Sequence, residues 1–192
     1  LFVSIVSNAP LREPADLNFT ENPSKAPWYF VGLQEMLVYY DPWIAGVIIP
    51  TLIIVGLMII PYIDPSKKGN GYYTYSERKA EVLIFLFGFA LWWILIFIGY
   101  VLRGPSWLIY WPWESWEIHK PVIAVELVNM PTPIGLALIL GFYLLFFTIP
   151  VLINRKILEK LGFIRYNTAM FFIATMFAFP LKIILRLAFN IR

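Results

Sequence analysis

The residues best able to do chemistry lie in one short run, Lys25-Ala26-Pro27-Trp28-Tyr29-Phe30-Val31-Gly32-Leu33-Gln34-Glu35-Met36-Leu37. It is aromatic and apolar, yet it carries a carboxylate at Glu35. A helix over Trp28 to Tyr40 sets Glu35 near Val31 and Leu33 rather than on an isolated polar face. Apolar walls hold a flat ring and a carboxylate accepts a hydroxyl proton, a combination that suits a quinol. A carboxylate withdrawn from water also keeps a proton more readily. An interfacial helix with a solvated Glu35 has the same spacing, and spacing does not separate the two.

Two other sites hold reactive types. His119, in Glu117-Ile118-His119-Lys120, reads either as a proton-exit group or as a solvated loop histidine. Lys182 and Arg186, at i and i+4, suit a lipid phosphate, a haem propionate on a partner, or a simple interfacial anchor. The sequence has one histidine and no cysteine. Disulfides, thiolate metal sites, covalent c-type haem and bis-histidine haem ligation within this chain are thereby excluded. A scattered net charge of +3 does not suggest nucleic acid.

The elements that must position these groups are membrane helices. Of 192 residues, 60% are hydrophobic and 14% charged, whereas a soluble domain carries about 25% charged residues. A chain so short of charge must have lipid as its main solvent. The expected fold is all-α, a single membrane domain of about four transmembrane helices at 42–63, 82–102, 132–154 and 167–188. Lipid leaves an open backbone unsatisfied, so helix is the conformation these segments require. Pro50, Pro61, Pro150 and Pro180 should kink them or sit near their ends. Residues 1–41 read as the tail of a preceding helix (Leu1 to Leu11) followed by a loop and a short interfacial helix.

Charge sorts the loops into two sets. Lys67, Lys68, Arg78 and Lys79 lie in 64–81, and Arg155, Lys156, Lys160 and Arg165 in 155–165; these are eight of the fifteen basic residues. The loops 12–41 and 103–126 hold only Arg12, Lys25, Arg103 and Lys120. The positive-inside rule makes the first pair cytoplasmic and the second pair outer. Lys182, Arg186 and Arg192 then approach the outer side, against the rule. Trp107, Tyr110, Trp111, Trp113 and Trp116 crowd the second outer loop, as an interfacial aromatic belt or as a Trp-lined site for a cofactor or partner.

The run Glu13-Pro14-Ala15-Asp16, followed by Asn22-Pro23-Ser24-Lys25-Ala26-Pro27-Trp28-Tyr29-Phe30, resembles the cytochrome b family. It is similar to the C-terminal half of cytochrome b, or to subunit IV of the plastoquinol-oxidising complex. There an E-P-A-D-type stretch leads into the P-E-W-Y-F motif of the outer quinol-oxidation site. The helix ending in Pro61-Tyr62-Ile63-Asp64 matches the family's P-[FY]-L-[DE]-like turn. The tail Phe179-Pro180-Leu181-Lys182-Ile183-Ile184-Leu185-Arg186 resembles bacterial menaquinol–cytochrome c reductase subunits with extra C-terminal helices. The family places its motif on the outer side, where the charge count also puts Pro27–Phe30.

The resemblance implies one subunit of a bc-type quinol:cytochrome c oxidoreductase, inactive alone, in an energy-transducing inner membrane. It implies an N-terminal-type cytochrome b partner holding two b haems, a Rieske iron–sulfur protein, a c-type cytochrome, lipids and a dimeric complex. His119 would then contact the Rieske-type partner or lead protons out. Pro27, Trp28, Tyr29, Phe30, Leu33 and Met36 would line the quinol site, with menaquinol favoured. The sequence departs from the family at one position that matters. Pro27 stands where the motif's proton-accepting Glu would be, so Glu35, about two helical turns on, is the candidate replacement. The alternative is a non-catalytic membrane anchor or scaffold in another respiratory or photosynthetic assembly.

Overall fold

A computed structural model describes residues 5, 14, 16–18, 20–65, 75–118, 120–122 and 126–191. The expected helix tail over Leu1 to Leu11 lies outside the described residues, apart from Ile5, as do Lys67, Lys68 and His119. The short helix α1 (Trp28–Met36) precedes a π-helical turn, Ile44–Ile48, that leads into α2 (Ile49–Ile63). Helix α3 (Lys79–Phe97) runs into a second π-helical turn, Ile98–Leu102, and a single 3-10 turn follows at Pro105–Trp107. Then come α4 (Thr132–Ile153), α5 (Lys156–Leu161) and α6 (Phe163–Phe189). No strand occurs among the described residues, so the chain is an all-α membrane bundle.

Four helical stretches are long and apolar enough to cross a membrane: Ile44–Ile63, Lys79–Leu102, Thr132–Ile153 and Phe163–Phe189. They track the expected spans closely, with one informative difference. The fourth is 27 residues long, starting at a Gly162 with φ of 78° and stopping at a left-handed Asn190. Lys182 and Arg186 do not interrupt it. At 1.5 Å per residue it measures about 40 Å, beyond the ~30 Å hydrocarbon core, so its last turns reach the polar boundary.

Helix α6 is the hub, packing on α2, α3 and α4. Phe177 stacks on Phe87 of α3 at 4.6 Å and meets Phe146 of α4 at 5.7 Å. Gly56 of α2 leaves room for the Phe172 ring, and Gly88 of α3 for the Met176 sulfur. Polar contacts help to fix the pairing with α4: the Tyr143 and Thr175 hydroxyls are 2.9 Å apart, and the Tyr166 hydroxyl donates to the Phe147 carbonyl. Lipid offers helices no hydrophobic drive to associate, so small residues, rings and interhelical hydrogen bonds take that role. No residue of α4 is fully buried, and its half-buried Tyr143, Phe146 and Phe147 face α6.

The connections segregate by end. Helix α1 packs on α3 and on both π-helical turns, and the Val128 amide donates to the Asn190 carbonyl at 2.9 Å. Thus α1, the described residues of the 103–131 connection and the end of α6 gather at one end. At the other, Arg78 pairs with Asp64 at 2.9 Å and Arg165 lies over the Tyr62 ring. The same two sets emerge from the charge count. Replacing Phe177 with Ala removes two ring contacts and should lower stability by about 1–3 kcal/mol, read as a lower Tm of the detergent-purified protein.

Candidate functional site

Pro27 opens α1: its carbonyl accepts from the Phe30 and Val31 amides. Gln34 then reaches back, accepting from the Ala26 amide and donating to the Ser24 carbonyl, each at 2.8 Å. Lys25 donates to the Tyr100 carbonyl at 2.7 Å and stands 4.9 Å above the Trp116 ring. Burial pushes the Lys25 ammonium below the usual lysine range. The approach to α1 is therefore fastened before the helix begins.

Glu35 is fully buried, not solvated. Its Oε1 accepts from Arg103 Nη2 at 2.6 Å and from the Tyr39 hydroxyl at 3.0 Å. Its Oε2 accepts from Arg103 Nε at 2.9 Å and from Trp107 Nε1 at 3.2 Å. A carboxylate offers about four acceptor positions, and all four are filled. Arg103 spends its remaining nitrogen on the Trp107 carbonyl at 2.8 Å. Burial works against the guanidinium charge, but the hydrogen bonds and attraction of Glu35 outweigh it and hold Arg103 above its ordinary range. Tyr39 is pushed up to about 12, by burial first and then by the adjacent Glu35 charge. It remains a donor at any physiological pH.

Close approach and backbone strain make this geometry possible. A Cβ on Gly99, in the second π-helical turn, would stand 2.4 Å from Val31 Cγ1. Only a residue without one lets α1 cross the end of α3 at this depth. Ser106 and Trp107 hold left-handed backbones, φ 56° and 57°, at about 1–3 kcal/mol each. That turn presents both the Trp107 carbonyl and its indole to the ion pair, and Asn22 Oδ1 accepts from the Ser106 amide at 2.7 Å. π-helical turns occur often at functional sites, and α1 packs on two of them.

The residues singled out from sequence divide into two groups. Trp28, Tyr29 and Phe30 form an exposed ring surface, with Trp28 and Tyr29 5.7 Å apart and Tyr29 and Phe30 4.9 Å apart. Trp28 also stacks on Trp93 of α3 at 6.1 Å, extending that surface along the helix. Pro27 is exposed beside it. Met36 instead belongs to a packed cluster with Ala45, Ile49 and Leu95, and Leu33 packs against that cluster. The two do not join the exposed rings. Trp107 is part of the ion-pair site, whereas Trp111 and Trp113 stack at 5.4 Å on the surface as belt residues do.

Arg103, Tyr39 and Gly99 are neighbours of Glu35 that spacing did not identify, and Trp107 stood out only as one of the loop aromatics. The signal for Arg103 was present: a carboxylate in an apolar run requires a cation, and few basic residues lie at this end of the chain. Comparison with protein families, curated proteins and solved structures finds no match to this chain.

Removing Arg103 alone (Arg103→Leu) strands a buried carboxylate and should cost about 3–5 kcal/mol. The pair Glu35→Gln with Arg103→Gln should recover most of that loss, since two amides replace two charges. Thermal unfolding of the two variants beside the wild type checks the recovery. Gly99→Ala forces α1 away from α3 and should cost about 1–3 kcal/mol in the same measurement, together with faster proteolysis near Pro27.

Proposed function

We propose that the chain is a membrane subunit of a bc-type quinol:cytochrome c oxidoreductase, of the cytochrome b C-terminal type, and supplies one wall of the outer quinol-oxidation site. The observation that carries the reading is the placement of α1. It lies at the end of the spans, fixed by the buried Glu35–Arg103 pair, with Trp28, Tyr29 and Phe30 exposed beside Trp93. A continuous aromatic surface open to the bilayer edge suits a flat, apolar, lipid-borne headgroup. The motif resemblance around Ala26-Pro27-Trp28-Tyr29-Phe30 points to the same class, with menaquinol favoured. A partner cytochrome b chain would hold the two b haems, and a Rieske protein and a c-type cytochrome would take the high-potential electron. The sidedness that fits is outer for α1 and cytoplasmic for the loops 64–81 and 155–165, in an energy-transducing inner membrane, within a dimeric complex.

Glu35 has a defined place in this scheme. With four donors on its carboxylate, it accepts a substrate proton only by giving up one of those hydrogen bonds and by leaving the Arg103 charge unpaired. In the arrangement observed it positions α1 and so aims the ring surface. The saturated carboxylate also favours a second reading, a membrane scaffold in another electron-transfer assembly with no quinol chemistry of its own.

Quinol:cytochrome c reductase activity of the purified complex, with b-haem spectra alongside, separates these. Trp28→Ala should raise the KM for quinol about tenfold while spectra and assembly hold, as expected when one ring contact of ~1.4 kcal/mol is lost. The variant Glu35→Gln/Arg103→Gln should retain turnover if Glu35 only positions α1. If that variant assembles with intact haem spectra yet does not turn over, Glu35 is the proton acceptor. A wild-type complex with neither b haem nor quinol oxidation would leave the scaffold reading in place.

A further inference from the structure

A cleft of about 420 Å³ opens at the same end of the bundle, between the segment joining α1 to α2 and the last turns of α6. Leu37, Val38, Pro42, Ile44 and Leu127 make its apolar walls, and Lys182 and Arg186 enter it from α6. Neither cation has an ion-pair partner among the described residues. Asp41 also lines the cleft, its Oδ1 accepting from the Trp43 amide at 3.1 Å, and no ion pair joins it to Lys182 or Arg186, so two cations stand against one carboxylate there. The Tyr39 hydroxyl is likewise engaged, by Glu35. Two like charges four residues apart on one helix repel each other unless an anion lies between them. They lie in the last turns of a helix longer than the ~30 Å hydrocarbon core, and the walls are apolar.

We infer that this cleft binds the phosphate of an anionic lipid headgroup, with Lys182 and Arg186 as its two donors and an acyl chain along Leu37, Val38 and Ile44. Paired cations at a boundary give short, charge-assisted hydrogen bonds to phosphate oxygens. The bound lipid would bridge the α1–α2 connection to α6. It also gives a reason for basic residues at the end of the bundle where the charge rule expects few. The inference is independent of any quinol chemistry.

Native mass spectrometry of the detergent-purified protein, titrated with phosphatidylglycerol or phosphatidylcholine, tests it. The wild type should retain phosphatidylglycerol in preference, and Lys182→Gln/Arg186→Gln should weaken that retention about tenfold or more, the scale of one lost charge-assisted contact. The charge-keeping swap Lys182→Arg/Arg186→Lys should retain the lipid, which separates lost charge from lost fold. Lys156→Gln/Lys160→Gln, at the opposite end, should leave it unchanged. Equal retention by the wild type and by Lys182→Gln/Arg186→Gln overturns the site. Displacement of the lipid by millimolar inorganic phosphate assigns the anion to solution and overturns the lipid.

Discussion

The ion pair between Glu35 and Arg103 is the constraint around which one whole end of the molecule is arranged. A carboxylate and a guanidinium withdrawn from water each lose several kcal/mol of hydration, and the loss is recovered only where geometry and further hydrogen bonds are complete. Here they are complete: two bonds reach each carboxylate oxygen, and every guanidinium nitrogen is used. Completing that set requires α1, the end of α3 and the Pro105–Trp107 turn to meet at one point. Gly99 supplies the space for the meeting, and Ser106 and Trp107 take backbone strain to make it. The pair therefore specifies an arrangement, whatever its net contribution to stability.

The rest of the bundle is held by weaker and more numerous contacts. Rings from α3, α4 and α6 stack around Phe177, and glycines in α2 and α3 let α6 approach. Such contacts are individually small and allow sliding, whereas a saturated ion pair does not. Helix α4, with no fully buried residue, is tied mainly through Tyr143 and Tyr166 to α6 and its start. The buried ion pair thus lies at the α1 end, whereas the contacts between the spanning helices are mostly aromatic.

Sequence patterning was a good guide to the spans, because a charge-free run of about twenty residues has few alternatives to a membrane helix. It underestimated α6. The expected span, 167–188, already ran through Lys182 and Arg186, whose long side chains reach the boundary without breaking a helix; the helix itself starts earlier, at Phe163, and ends at Phe189. The site was legible only in part. Spacing placed Glu35 beside aromatic residues, but burial of Glu35 depends on Arg103, 68 positions along the chain. A local pattern carries no information about a partner at that separation. For the same reason Trp107 looked like one more belt residue, and Met36 like part of the ring surface. The alternation of the loops between the two ends was legible because charge counts do not require knowing who touches whom.

Pro27 and Glu35 are best considered together. Pro27 caps α1 from just outside it, with φ −50° and ψ 147°, a position where a missing amide leaves no intrahelical hydrogen bond unmade. A carboxylate at Pro27 would stand exposed at the mouth of the ring surface, ready to exchange protons with water. At Glu35 the carboxylate is instead sealed inside, where its charge holds the helix that carries the rings. On the quinol reading, positioning and proton acceptance are then divided between different groups. On that reading the rings of Trp28, Tyr29 and Phe30 would face the substrate, the ion pair behind them would set their angle, and the proton would leave through water or through a group on another subunit. A saturated buried carboxylate exchanges protons poorly because each transfer must break one of its hydrogen bonds and cancel the charge that Arg103 pairs with in a low-dielectric site. That property, unhelpful in a proton acceptor, is what a fixed support for an aromatic wall requires.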